Sequence, residues 1–189
     1  AGLIFLPMMP LIMGAVAISL GASATGVGTV ASIQLAATAI GAFLFSGLGT
    51  FINGRVLVIC AISCELTLNI ASAYSSSLVE LAALRGFSGL AQGVLLAAAS
   101  ATDVLGKKTE KTFVFYNVAL AVFAVVFLFI GSYVIPLFGF GAGFLLFSAL
   151  DLVALLFILN GFPRFNLAPR TNSIYYSSSL LSGIWTKPF

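Results

Sequence analysis

The chain has no histidine, one tryptophan and two cysteines, and only 7% of its 189 residues are charged. An ordinary soluble domain carries roughly a quarter charged residues, so most soluble-enzyme and polar-surface readings fall away at once. Without histidine there is no Ser-His dyad and no H-E-x-x-H metal site. Two cysteines on one helix do not complete a zinc site, so no metal, no cofactor and no enzymatic activity are expected. Cys60 and Cys64 stand four apart in an apolar stretch and read as packing residues rather than an extracellular disulfide framework. The opening AGLIFLPMMPLIMG carries no basic residue, as a signal peptide would require, and reads as a first span already truncated. Net charge is +3, but the basic residues are scattered rather than gathered on one polar face, so no nucleic-acid partner is expected.

What remains is apolar: 61% of the residues are hydrophobic and the mean hydropathy is +1.19. This is the composition of a membrane protein, with membrane lipid as its surroundings. A helix needs about 20 mostly apolar residues to cross the hydrocarbon core. Blocks of that kind run from Gly2 to Leu20, Gly26 to Phe51, Val56 to Tyr74, Val79 to Val104, Thr112 to Ile135 and Phe140 to Phe162. The expected fold is therefore an all-α membrane protein, a bundle of six transmembrane helices over 1–162. Residues 163–189 read as a cytoplasmic connector leading toward a further helix, which would make the chain part of something longer. Short connections make antiparallel neighbours.

Basic residues resist translocation and mark cytoplasmic loops. With the N-terminus in the cytoplasm, the inner loops carry Arg55, then Lys107, Lys108 and Lys111, then Arg164, Arg170 and Lys187. The outer loops near Ser23, Ser76 and Phe138 carry none. Only Arg85 escapes this placement. It falls roughly two turns inside the fourth span, and a permanently charged guanidinium there must find acceptors or water. Glu65 and Asp151 lie near mid-depth of the third and sixth spans. Each acid has three readings: a proton carrier, a structural partner or a buried neutral group. Gln34 is deep in the second span and Asn117 just over one turn inside the fifth, and either amide bonds a solute or cross-links helices. Gly89, Gly93, Ala97 and Ala101 continue from Arg85 in steps of four, and Ala37, Gly41 and Gly49 form a similar series in the second span. Such rows let helices approach closely.

At Leu81 the pattern L-x-x-x-R-x-x-S-G-x-A-Q-G resembles the fourth-helix motif of major facilitator superfamily transporters, l-x-x-x-R-x-x-q-G-x-g-a-A. It keeps Leu81, Arg85 and Gly89, has Gly93 at its end, and places Ser88 where glutamine is usual. A second family motif, G-x-L-a-D-r-x-G-r-k, is matched in part by GLGTFINGRV, which supplies Gly47, Gly54 and Arg55. Phe51 stands at its aspartate and Ile52 at its next arginine. The fifth-helix antiporter pattern g-x-x-x-G-P-x-x-G-G is missing, although the chain otherwise resembles drug/proton-antiporter-like members most.

The resemblance implies an N-terminal six-helix half that pairs with a second half, in the same longer chain or another subunit, and moves a small-molecule solute by alternating access. It implies proton coupling or solute response at Arg85, facing the central cavity; Gln34, Glu65, Asp151 and Asn117 are further candidates from their depth in the spans alone. It also implies a cytoplasmic latch between Arg55 and Asp103. The competing expectation is a scaffold or assembly subunit that transports nothing and uses the glycine rows to dock a partner.

Overall fold

In a computed structural model of the chain, residues 2–48, 53–105 and 109–161 are described. All of the regular structure there is helical: α1 (Gly2–Leu20), α2 (Ala24–Leu48), α3 (Gly54–Ala73), α4 (Leu78–Leu105), α5 (Thr109–Phe138) and α6 (Phe140–Gly161). The six expected blocks are these six helices, with ends displaced by no more than three residues where both are described; the expected ends at Phe51 and Phe162 lie outside the described residues. Five of them are long and apolar enough to cross a membrane, and α1 adds a shorter apolar stretch, Met8–Leu20. This is consistent with a multi-pass integral membrane protein. The segment expected as a connector over 163–189 lies outside the described residues.

The helix ends are written in local chemistry. Ser23 Oγ accepts from the Gly26 amide at 3.1 Å, and Asn53 Oδ1 accepts from the Arg55 amide at 3.0 Å. Ser77 Oγ accepts from the Glu80 amide at 3.2 Å, while the Glu80 carboxylate accepts from the Ser76 amide at 3.0 Å. These side chains satisfy amides that have no partner inside the helix. Gly21 ends α1 at φ 60° and Gly139 separates α5 from α6 at φ 80°, a backbone region that glycine enters without a Cβ penalty. The second glycine explains why α5 runs on past the expected stop at Ile135. Pro136 costs only a late hydrogen bond, and the turn waits for Gly139.

Following the main pairings from helix to helix gives a ring, α2–α4–α3–α6–α5–α1, with α1 also meeting α2, α4 and α6. Met8, Ile12 and Val16 of α1 pack with Val27, Val30, Leu81, Ile135, Phe144 and Phe147 in the larger apolar core. Phe45, Val58 and Ala98 form a smaller core elsewhere.

Glycine sets the spacing at two places in the ring. A Cβ on Gly41, Gly89 or Gly93 would run into backbone of the opposite helix along the α2–α4 seam. On Gly141 of α6, a Cβ would lie 2.5 Å from the Ala73 carbonyl oxygen of α3. The glycine row of α4 is thus used up inside this chain, against α2, and does not offer a free face to a partner. Cys60 and Cys64 are free thiols on the exposed side of α3, not in the packed interior.

Candidate functional site

Polar side chains are spaced at helical intervals on two neighbouring helices. On α3 they are Glu65, Asn69 and Ser72, at i, i+4 and i+7. On α4 they are Arg85, Ser88 and Gln92, at i, i+3 and i+7. Each set forms one stripe, and the fold turns the two stripes toward each other. Gln34 of α2 and Asp151 of α6 extend the cluster at its two flanks. Arg85 and Asp151 are 0% exposed, and Glu65 and Gln34 are 1% exposed.

The Arg85 guanidinium donates from Nη2 to Ser72 Oγ at 2.7 Å, to Asn69 Oδ1 at 3.0 Å and to the Leu68 carbonyl at 3.3 Å. Its Cζ lies 4.6 Å from the centroid of the Phe144 ring, a cation–π contact that replaces part of its lost hydration. The Asn69 side chain is oriented by Arg85, which can only donate. Its Oδ1 therefore faces the guanidinium, and its Nδ2 donates to Asp151 Oδ2 at 2.7 Å.

Glu65 is held differently. Ser88 Oγ lies 3.0 Å from both of its carboxylate oxygens, and Gln92 Nε2 donates to its Oε1 at 2.7 Å. The Gln92 carbonyl in turn accepts from Gln34 Nε2 at 3.1 Å. Among the described residues, two buried acceptors have no hydrogen-bond donor, Gln34 Oε1 and Asp151 Oδ1. Arg85 also interacts electrostatically with both Glu65 and Asp151.

Four of the expected site residues, Gln34, Glu65, Arg85 and Asp151, thus meet in one cluster. Its interior position differs from the water-lined one expected for Arg85. Desolvation is answered by hydroxyl, amide, carbonyl and aromatic partners rather than by solvent. A cavity of about 450 Å³ lies elsewhere, lined by Tyr74, Val134, Phe138, Gly141 and Leu145 among others, and none of the four clustered residues lines it. Leu81 is fully buried in the larger apolar core, where it packs rather than binds.

Arg85 and the glycines do not share a partner although they lie on one i, i+4 row. Steps of four drift by roughly 40° on a 3.6-residue helix, which leaves Arg85 on α3 and turns Gly89 and Gly93 onto α2.

Of the expected cytoplasmic latch, Gly54 is buried at the start of α3. The Arg55 guanidinium donates to the Leu159 carbonyl near the end of α6 at 2.9 Å. Cations are favoured at that helix terminus. The surroundings of Gly47 and the side chains of Asp103 and Asn117 lie outside what is described.

Asn69, Ser72, Ser88 and Gln92 hold the cluster together, yet single-residue reasoning does not rank them. Serines and amides are common in membrane helices, and only their helical spacing from Glu65 and from Arg85 sets them apart. No family model and no curated protein matches the chain. The class defined by fold and cluster is a helical membrane bundle with a buried, charge-bearing polar core.

Proposed function

We propose that the chain is one six-helix half of a secondary transporter, which moves a small solute by alternating access in exchange or in company with protons. The observation that carries this reading is the buried meeting of Arg85, Glu65 and Asp151 on three different helices. Ionisable groups are rare in membrane spans because each costs a few kcal/mol or more there, and where they persist they commonly mark solute or proton pathways. The resemblance of the Leu81–Gly93 stretch to the major facilitator fourth-helix motif supports the same reading. In the closed arrangement described, the cluster is sealed, so transport requires it to open toward a second half. Binding near mid-membrane between two repeats that rock against each other is the general plan of such transporters.

One specific observation favours a second reading, a membrane scaffold that transports nothing. Nη2 of the Arg85 guanidinium donates to Asn69 and Ser72 within one bundle and its Cζ lies over the Phe144 ring, as in a structural cross-link.

The two readings separate in sealed vesicles from cells expressing the protein, with a pH dye inside and a panel of anionic, cationic and neutral solutes outside. Transport predicts a solute-dependent proton flux that is lost in Arg85→Lys and Arg85→Ala, with both variants still present in the membrane. Flux unaffected by both substitutions refutes the role of Arg85. Absence of flux across the panel, together with purification in a complex of defined composition, establishes the scaffold.

A further inference from the structure

The cluster holds one cation and two acids, and these are the charged side chains among its buried members. With both acids ionised, the sealed interior would carry a net negative charge, which a low-dielectric environment strongly disfavours. One proton makes the cluster neutral. The hydrogen bonds decide where that proton sits. Glu65 has donors at both oxygens, from Ser88 and Gln92. Asp151 receives one donor, Asn69, at Oδ2, and its Oδ1 is buried without any. A carboxylate needs several donors when water is excluded, whereas a neutral acid needs far fewer.

We propose that Asp151 carries the proton in this conformation and is the proton-binding site of the chain, while Glu65 is the standing counter-ion of Arg85. This deepens the transport reading, on which its physiological use rests, by naming which acid is loaded. The groups facing Asp151 are few. Arg85 of α4 reaches it through Asn69, Glu65 of α3 repels its ionised form, α5 brings only the exposed Tyr133 among its described side chains, and the described part of α1 has no titratable residue. Release is a simple transfer: the O–H bond of Asp151 breaks, water takes the proton, and the carboxylate keeps the electron pair. The cluster then holds two anions and one cation, which disfavours the sealed interior and favours hydration. Loss of the proton is in this way tied to opening.

Infrared spectroscopy of the full chain in lipid nanodiscs tests this without transport. At neutral pH the wild type is expected to show the carbonyl stretch of a protonated carboxylic acid. Carbon-13 labelling of aspartate should shift that band, and labelling of glutamate should leave it in place. The chain has two aspartates, Asp103 and Asp151, and three glutamates. Asp151→Asn should abolish the band, and so should Glu65→Gln, which leaves Asp151 as the remaining counter-charge of Arg85 and removes the need for the proton, so the isotope labels make the assignment. Should Asp151→Asn fail to fold, Asp103→Asn in the labelled background makes the assignment, because the shifted band must survive it. A band that follows the glutamate label, one lost in Asp103→Asn, or no acid band at neutral pH overturns the proposal. An aspartate band assigned to Asp151, in a protein that shows no solute-dependent proton flux, supports the proton site and refutes the transport reading. Flux without the band does the reverse.

Discussion

Replacing Gly93 by alanine should destabilise the bundle, whereas the same change at Gly14 should stabilise it. A Cβ on Gly93 would lie 2.5 Å from the Ala42 nitrogen and 2.9 Å from the Gly41 carbonyl carbon, and would also meet the Thr38 carbonyl oxygen. Comfortable heavy-atom contact begins at about 3.5 Å, so α2 and α4 must part locally by roughly 1 Å. Every obstructing atom is backbone, and no side chain can rotate out of the way. Overpacking of this kind costs about 1–3 kcal/mol, and the backbone obstruction places this case toward the upper end.

The separation would also stretch the 3.1 Å hydrogen bond between Gln34 and Gln92 past bonding distance, since both lie on the same pair of helices. Gly14 has nothing within 4 Å of its Cβ position. Alanine there gains about 1 kcal/mol of helix propensity with no clash. The propensity gain is common to both substitutions and cancels in their difference, which isolates the seam at about 1–3 kcal/mol. Titration of the purified protein with SDS in mixed micelles, followed by circular dichroism, measures both. Equal stabilities for the two variants, or a more stable Gly93→Ala, would refute the close-packed seam.

Other consequences are more local. Arg85→Met should lower stability in the same titration by about 3–5 kcal/mol, because it leaves Glu65 buried without its counter-charge, and Glu65→Gln should cost less, because Asp151 can ionise in its place. The double substitution should cost less than the sum of the two, and strict additivity would show that the charges do not sense one another. Ser77→Ala removes the side-chain acceptor for the Glu80 amide at the start of α4 and should cost about 1 kcal/mol, again by SDS titration. No shift in the midpoint would mean that this cap does not contribute to the fold.

The spans were legible because membrane insertion imposes one rule over long windows: about 20 apolar residues in helical form with every backbone group satisfied internally. The positions of Arg85, Glu65 and Asp151 were legible for the same reason, since a charge stands out against such a background. Their mutual contacts were not. Hydropathy says how deep a residue lies but not which way its helix is turned. Rotation followed from pairings that no single span encodes, such as the backbone contact of Gly93 with α2 that turns Arg85, Ser88 and Gln92 toward α3. Arg85 was expected beside water because an unaccompanied guanidinium would need it. Asn69 and Ser72, at i+4 and i+7 from Glu65, supply the company instead.

The chemistry joining the helices differs from one interface to the next. The α2–α4 pair and the α3–α6 pair each contain a glycine approach to backbone, at Gly41, Gly89 and Gly93 in the first and at Gly141 in the second. Such contacts have a steep distance dependence and tolerate little sliding. Between the pairs, the polar bonds run in one direction: donors from Arg85, Ser88 and Gln92 of α4 to acceptors on Leu68, Asn69, Ser72 and Glu65 of α3. A hydrogen bond given up at such a layer can be replaced by one to water if the layer opens, so the net cost of exchange is far smaller than the cost of leaving a group unpaired. Separation along α3–α4 therefore exchanges bonds that water can replace, which separation along either glycine seam does not, and Asp151 sits one amide behind that boundary, where a change in its charge acts on the bonds that hold the boundary closed.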